Sequence, residues 1–426
     1  MILHLSTFHM EGGAGVAATR LHRALLRSGV DSRMLIPTVK NHEVGVAPLA
    51  STNWQKRKAW CRFVAERLAF YPHEKDRTVR FAFSPADAGA DISLHPLVQK
   101  AEVIHLHWIN FGFLSLDSLH KLFSLGKPVV WTLHDMWTFT GGCHYSHGCN
   151  HYLSHCHDCP YLAKPDPYDI SFVQFEKKIA LYSKTSMALI SPSCWLDDLV
   201  KAASLTKHIF SKSIPNCLDT DLFKPRNKRE IREQLNLPLT KKLLLFAGAN
   251  TQDPRKGFVY FKEALNNLNH SANEYEVLIF GKSNPESFAS FPANVHYLGV
   301  ISRPDDMVNA YNAADAIVVP SLEDNLPNTI MEALACGIPA IGFKTGGIPE
   351  MIDHKQNGFV ADLKSSESLA AGIRWVLEES NYIATSEAAR QKVIDFYSES
   401  TVACQYMEVY DSLTESNKLS TFNNSH

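Results

Sequence analysis

The chain has 426 residues, enough for two or three domains at roughly 100–200 residues each. Apolar types make up 45% and charged types 20%, a globular balance that excludes a disordered, collagen-like or coiled-coil chain. The 42 basic and 44 acidic residues leave a net charge of −2 with His neutral, so no basic surplus points to nucleic acid. Apolar runs are short, such as Ala333–Cys336, and none approaches the roughly 18 residues of a membrane-spanning helix. The opening Met1-Ile-Leu-His-Leu-Ser6 lacks the charged and long apolar segments of a secretory leader. For nine cysteines, four of them clustered, the expectation is a reducing, cytoplasmic setting with thiols free or metal-bound.

Met1–Ser6 reads as a short buried strand. A glycine loop, Glu11–Gly15, follows, then a helix from Val16 to Ser28 stopped by Gly29. Ser32–Pro37 is the next strand, and this β-loop-α-β opening predicts a parallel sheet. Val103–Trp108, Pro128–Leu133 and Ser186–Ser191 are further strands, apolar enough to be covered on both faces. The second half repeats the rhythm. Lys242–Ala247, Tyr275–Phe280, Val295–Leu298, Ala316–Val319 and Pro339–Gly342 read as strands. Gly257–Asn267, Asp305–Ala313, Thr329–Cys336 and Ser366–Glu378 read as helices. The proline-rich, mixed-charge span Pro215–Pro238 divides the two α/β halves. Glu415–His426 reads as a polar, frayed tail.

Gly13-Ala-Gly15-Val-Ala-Ala18 fits G-x-G-x-x-A between a strand and a helix, where backbone N–H groups can meet a phosphate. A dinucleotide site wants an acid about 20 residues on. The second strand ends instead in Ile36-Pro-Thr-Val-Lys40, which counts against NAD. The alternative is a tight turn with no ligand.

Asn53–Arg67 carries Lys56, Arg57, Lys58, Arg62 and Arg67 among Trp54, Trp60, Phe63 and Val64. Such a basic, partly amphipathic helix can lie on an anionic membrane or pack one face on the core. Further on, Cys143, Cys149, Cys156 and Cys159 are spaced C-x5-C-x6-C-x2-C among five histidines. Four thiolates can close a structural zinc site and leave no open position for catalysis. A reduced loop and disulfides are the other readings. His134, at a strand end beside Asp135, is a candidate site residue.

The densest pattern is Pro320-Ser-Leu-Glu-Asp-Asn-Leu-Pro-Asn-Thr-Ile-Met-Glu-Ala-Leu-Ala-Cys-Gly337. Asn328 and Thr329 look like the cap of a helix whose first turn carries Glu332. A helix N-terminus suits a diphosphate, and a carboxylate one turn in can accept from ribose hydroxyls. Residues 248–257 place Arg255 and Lys256 after a strand, where fixed cations would neutralise a departing diphosphate. Gly346-Gly-Ile-Pro-Glu350 is a third strand–helix junction on the same predicted sheet edge.

This stretch resembles the glycosyltransferase family 4 signature P-S-x-x-E-N-x-P-N-T-x-x-E-A-x-A-C-G. The resemblance extends to the N-terminal glycine loop, Thr132-Leu-His-Asp135, Ile214–Phe223 and Gly346–Glu350. It implies a GT-B fold, two Rossmann-like domains facing across a cleft, and transfer of a sugar from a nucleotide-sugar donor with retention of configuration and no catalytic metal. It also implies roles. Glu332 binds the ribose, and Asp324 is the first acid of the E-x7-E pair. Lys256, with Arg255, meets the diphosphate. Gly13 and Gly15 form the donor-side loop, and His134 lines the catalytic cleft. Asn325, Leu326, Asn328 and Thr329 complete the donor loop. Two departures stand out. The first acid is an Asp, and the position after Gly248, often arginine in the family, is Ala249.

The expected domains are 1–215 on the acceptor side, with the Cys/His-rich insert at about 141–162, and 216–395 for the nucleotide-sugar. A helix over 396–413 crosses back, and 414–426 is tail. Four-cysteine inserts after T-L-H-D resemble those in a branch of the family. The expected donor is a UDP-sugar ahead of a GDP-sugar. The expected acceptor is a glycan or lipid-linked glycan of bacterial surface polysaccharide, with peripheral contact at the inner membrane. The competing readings are a zinc-stapled interaction protein on a GT-B frame and an NAD-dependent oxidoreductase.

Overall fold

The computed structural model describes residues 1–40, 42–183, 185–251, 253–268, 274–288 and 291–423. The chain divides into two compact units, one of Met1–Ile214 with the segment from Ala403 onward, the other of Pro215–Val402.

In the first unit the strands are β1 (Ile2–Leu5), β2 (Ser32–Ile36), β3 (Val46–Pro48), β4 (Val103–Leu106), β5 (Val129–Thr132), β6 (Met187–Ser191) and β7 (Phe210–Ser213). They form one sheet in the order β3-β2-β1-β4-β5-β6-β7. Every pairing is parallel, with Ile2 opposite Ser32 on one side and Val103 on the other. In the second unit β8 (Lys242–Asn250), β9 (Tyr275–Lys282), β10 (Val295–Tyr297), β11 (Ala316–Val319), β12 (Ala340–Phe343) and β13 (Gly358–Ala361) form a parallel sheet in the order β10-β9-β8-β11-β12-β13. Each is the doubly wound order that reverses direction beside its first strand. The two switch points, β1/β4 and β8/β11, are where such sheets hold ligands outside the strands' carboxyl ends.

The covered faces explain why these strands are apolar throughout. Leu243 and Leu245 of β8 pack into one core with Ile317 and Ile330. The alternating Leu244 and Phe246 pack into another with Phe261 and Leu369. Each such side chain contributes about 1.5–3 kcal/mol by leaving water. In the first unit Trp131, Phe113, Phe139 and Phe175 anchor the core.

β3, β7 and β13 were not expected from the sequence, and all three are sheet edges. An edge strand needs no continuous apolar run, and β7 reads Phe-Ser-Lys-Ser. The first helix begins at Gly12, not Val16, and ends at Arg27. Gly12 has a φ of +63°, so the chain turns straight into the helix and leaves Gly13 and Gly15 inside it. Gly29 ends it at a φ of +80°. The helix Ser366–Arg374 passes into a wider turn, Trp375–Glu379.

The last helix, Glu399–Asn423, runs through the polar segment that starts at Glu415, and residues 424–426 lie outside the described residues. From Ala403 it belongs to the first unit. There the Tyr410 hydroxyl bonds His105 Nδ1 at 2.7 Å, and the Tyr406 hydroxyl bonds Thr132 Oγ1 at 2.9 Å. Among the described residues, no helix is long and apolar enough to cross a membrane.

Candidate functional site

Three loops leave the carboxyl ends of β8, β11 and β12, and backbone contacts tie them together. Leu322 N–H donates to the Arg255 carbonyl at 2.7 Å, and Gly347 N–H to the Asn325 carbonyl at 2.9 Å. Two glycines permit this approach. A Cβ on Gly257, at φ +67°, would lie 1.9 Å from the Pro320 carbonyl oxygen. One on Gly346, at φ +55°, would lie 1.7 Å from that of Asp324.

Within this frame Lys256 Nζ donates to Asp324 Oδ2 at 2.6 Å. The pair is partly open, with the Lys256 side chain 31% and the Asp324 side chain 13% exposed. Ser321 Oγ donates to the same Asp324 oxygen at 3.3 Å. Arg255 does not share in the pair but binds Asp253 in its own loop, at 2.6 Å.

Glu332 is buried and accepts from the Tyr311 hydroxyl at 2.5 Å. Tyr311, in the helix Pro304–Ala313, is fully buried and was not singled out in the sequence. The capping expectation fails in detail. The helix is Asn328–Ala335, Pro327 holds the cap position, and no side chain caps it. Asn328 is the first helical residue, and its Oδ1 accepts from Asn216 Nδ2 at 3.2 Å. Thr329 is the second helical residue, and Glu332 falls in the second turn, not the first. Asn325 and Leu326 are buried in the loop ahead.

In the first unit His134 follows β5. Its Nε2 is 3.2 Å from His107 Nδ1, and His107 Nε2 is 2.9 Å from His4 Nδ1. Burial pushes His134 down to about 4 against the opposing pull of Asp135. It also pushes His4, His105 and His107 well below the usual imidazole range. These rings are therefore neutral near pH 7. Among the described residues, the group of three potential metal ligands whose atoms all lie within 4.8 Å of one another is His4, His105 and His107.

Asp135 is held by three donors or partners: His144 Nδ1 at 2.7 Å, Trp108 Nε1 at 2.8 Å and Trp137 N–H at 2.9 Å. Burial would raise its carboxyl, but these contacts, His144 foremost, keep it below the usual value. Trp108 also stacks on Phe8 at 5.3 Å. The glycine turn is built on the same residue, since a Cβ on Gly15 would lie 2.8 Å from Phe8 Cβ. Gly15 thus serves close helix–strand packing as well as any ligand. Gly13 lies in the same helical turn.

Cys143, Cys149, Cys156 and Cys159 are free thiols that line a single small cavity. In the basic helix, Asn53–Phe70, two of the expected surface cations turn inward. Arg62 donates to the Gly112 carbonyl at 3.3 Å, and Arg67 to the carbonyls of Arg80 and Phe83 at 2.6 and 3.1 Å. Trp54 and Trp60 remain exposed, with Lys58 over the Trp54 ring at 3.7 Å.

Residues 11–221 match the family described as Glycosyltransferase Family 4, and residues 227–393 match Glycosyl transferases group 1. A putative colanic acid biosynthesis glycosyl transferase of Escherichia coli, WcaC, is 24% identical over 369 residues, covering 82% of this chain and 85% of that protein. Among solved structures, sucrose-phosphate synthase from Thermosynechococcus elongatus superposes with a TM-score of 0.67 at 18% identity, covering 98% of this chain and 100% of that one. Anabaena HepE in complex with UDP-glucose superposes with a TM-score of 0.64 at 18% identity, covering 96% and 99%. The fold is GT-B, built of two Rossmann-like α/β units.

Gly346→Ala should cost about 1–3 kcal/mol through its positive φ, and more through the contact with Asp324; a thermal melt reads the loss. Stability should also fall as pH drops from 7 to 5. His4, His22, His105, His107 and His134 are all depressed in the fold. Below about 6.5 the unfolded chain binds their protons first, so stability present above that pH is lost on acidification. Glu66, raised by burial, acts in the opposite sense as one group against several. Melting temperatures across this range test the sign.

Proposed function

The chain belongs to glycosyltransferase family 4, and on that footing we propose that it is a retaining transferase taking a sugar from a nucleoside-diphosphate sugar. A UDP-sugar is favoured over a GDP-sugar, and the acceptor is a glycan or lipid-linked glycan in bacterial surface polysaccharide assembly. The observation that carries this reading is the Lys256–Asp324 pair, set at the β8/β11 switch point ahead of an uncapped helix N-terminus. The setting draws support from the name of WcaC. The UDP preference draws support from the UDP-glucose complex of HepE.

The chemistry follows from charge. As the bond to the anomeric carbon breaks, negative charge builds on the diphosphate. A fixed cation and backbone N–H groups stabilise it without reorganising. Lys256 has three donor hydrogens and spends one on Asp324, which aims the ammonium while leaving capacity for phosphate oxygens. Arg255, held by Asp253, adds a second positive charge at shorter leash. N–H groups at Asn328 and Thr329, and near Gly13, add partial charges. Glu332, oriented by Tyr311, accepts from the ribose hydroxyls, since a carboxylate offers about four lone-pair sites. His134, neutral at pH 7, contributes hydrogen bonding rather than charge. The leaving phosphate takes the acceptor's proton, so no protein base is required. Asn325 and Leu326 shape the donor loop. On this reading the reaction runs at the cytoplasmic face, and the exposed Trp54 and Trp60 with Lys58 would supply the membrane contact.

A thermal-shift screen against UDP, GDP, ADP, CMP and NAD tests the donor site. A ligand at a hundred times its dissociation constant adds about 2.7 kcal/mol. UDP should raise the melting temperature, and Glu332→Ala should abolish the shift. A response to NAD alone would favour a dehydrogenase, and no nucleotide response would favour a non-catalytic frame. Separately, the protein should float with anionic liposomes and lose that binding when Lys56, Arg57 and Lys58 are neutralised.

A further inference from the structure

The first unit carries a cavity of about 280 Å³, walled by the segments that follow β1, β2 and β4 and by the basic helix Asn53–Phe70. Five aromatic residues line it: Phe8, Trp60, Phe63, Phe111 and Phe113. Most of its polar groups are spent within the protein. Thr7 Oγ1 donates to the Asn110 carbonyl at 2.9 Å, His9 Nε2 lies 2.6 Å from a Glu43 carboxylate oxygen, and Lys40 pairs with Glu11. Two exposed lining residues differ. The Lys56 ammonium and the Thr38 hydroxyl have no side-chain partner among the described residues.

We propose that this cavity holds the phosphate and first carbons of a lipid-linked acceptor, with Lys56 on the phosphate and Trp60 and Phe63 on the hydrocarbon. Aromatic rings can stack on a sugar as well, but a sugar ring brings several hydroxyls, and each one buried needs a partner. This wall offers one hydroxyl and one cation. An apolar body with a single anionic group fits that inventory. The volume lies near the lower end of ligand pockets, about 300–1,000 Å³, which suits a head group and a short stretch of chain rather than a whole lipid. The rest of the chain would leave past Trp60, which is exposed. The inference rests on the transferase reading above and narrows its acceptor to the lipid-linked kind.

The cavity wall is built in advance. The basic helix grips Gly112 twice: the buried Glu66 accepts from its N–H, and Arg62 Nε donates to its carbonyl at 3.3 Å. A Cβ on Gly112, at φ +81°, would lie 2.4 Å from the backbone nitrogen of Phe63. Beside it Phe111 is held at φ +58°, a left-handed conformation that a bulky residue adopts only when its surroundings impose it. Its ring meets Trp108 edge to face at 4.6 Å and the Arg67 guanidinium at 4.6 Å. Backbone strain of this kind collects at ligand-binding walls, and here it holds a partly exposed ring in the lining.

The test is calorimetric titration of the full chain with farnesyl phosphate below its micelle concentration, beside farnesol and inorganic phosphate. Farnesyl phosphate should bind, and each of the other two at least tenfold more weakly. Lys56→Ala should weaken it at least fivefold and Trp60→Ala at least threefold, both at exposed positions, while Lys56→Arg should retain it. Arg57→Ala, at an exposed cation of the same helix outside the lining, should leave it unchanged. No binding of farnesyl phosphate, equal binding of farnesol, or an affinity indifferent to Lys56→Ala and Trp60→Ala would overturn the proposal. Displacement of the probe by dihexanoyl phosphatidylglycerol would assign the cavity to ordinary membrane headgroups and overturn it too. The UDP melting shift on the same samples separates the two readings. UDP binding without farnesyl phosphate binding rejects the lipid site alone, and the reverse rejects the donor reading alone.

Discussion

The second unit is organised around one ion pair. Lys256 and Asp324 come from loops that follow β8 and β11, and glycines in the first and third loops let the three loops cross closely around the pair. Gly257 lets the first loop pass the Pro320 carbonyl, and Gly346 lets the third loop pass under Asp324. Both glycines are in left-handed conformations that other residues adopt at a cost. The strain is local, and the covered cores on both faces of the sheet support it. An ammonium paired with a carboxylate at a partly open site is a poised device. It stays solvated enough to be inexpensive, and it can extend its remaining hydrogens to an incoming anion.

The first unit is built on different physics. Its switch point is occupied by neutral, buried imidazoles and a tryptophan rather than by paired charges. Trp108 links the turn before the glycine helix, through Phe8, to Asp135 and His144. The C-terminal helix closes the far side of the same strands through Tyr406 and Tyr410. One unit thus presents a lysine–aspartate pair, and the other a cluster of buried neutral imidazoles beside a carboxylate, Asp135, held by His144, Trp108 and Trp137.

The parts of this architecture visible in the sequence are those where one residue type is nearly obligatory. Glycines at crowded crossings, runs such as Ala316–Val319, and the acid–helix–acid pattern ending at Glu332 all announce themselves. Edge strands do not, because β3, β7 and β13 can be short or polar and still pair. The helix cap is not legible either, because Asn328 resembles a capping residue but is the first residue inside the helix. Pro327 takes the cap position instead, and the Asn328 side chain turns to Asn216. Tyr311 carried no local signal, since its role exists only when Glu332 arrives from a distant helix. Nor did the sequence show that Arg62 and Arg67 turn inward to backbone carbonyls, which thins the basic face of their helix. The four cysteines are visible as a pattern, whereas the buried Lys178 that donates to the Trp137 and Thr140 carbonyls beside that loop is not.

The most direct measurement is calorimetric titration of UDP and of uridine into the native chain and into Lys256→Ala. If the remaining hydrogens of Lys256 meet the diphosphate, the variant should lose at least about tenfold in UDP affinity, roughly 1.4 kcal/mol, with uridine affinity unchanged. Equal losses for both ligands, or none for UDP, would contradict that role for the ion pair.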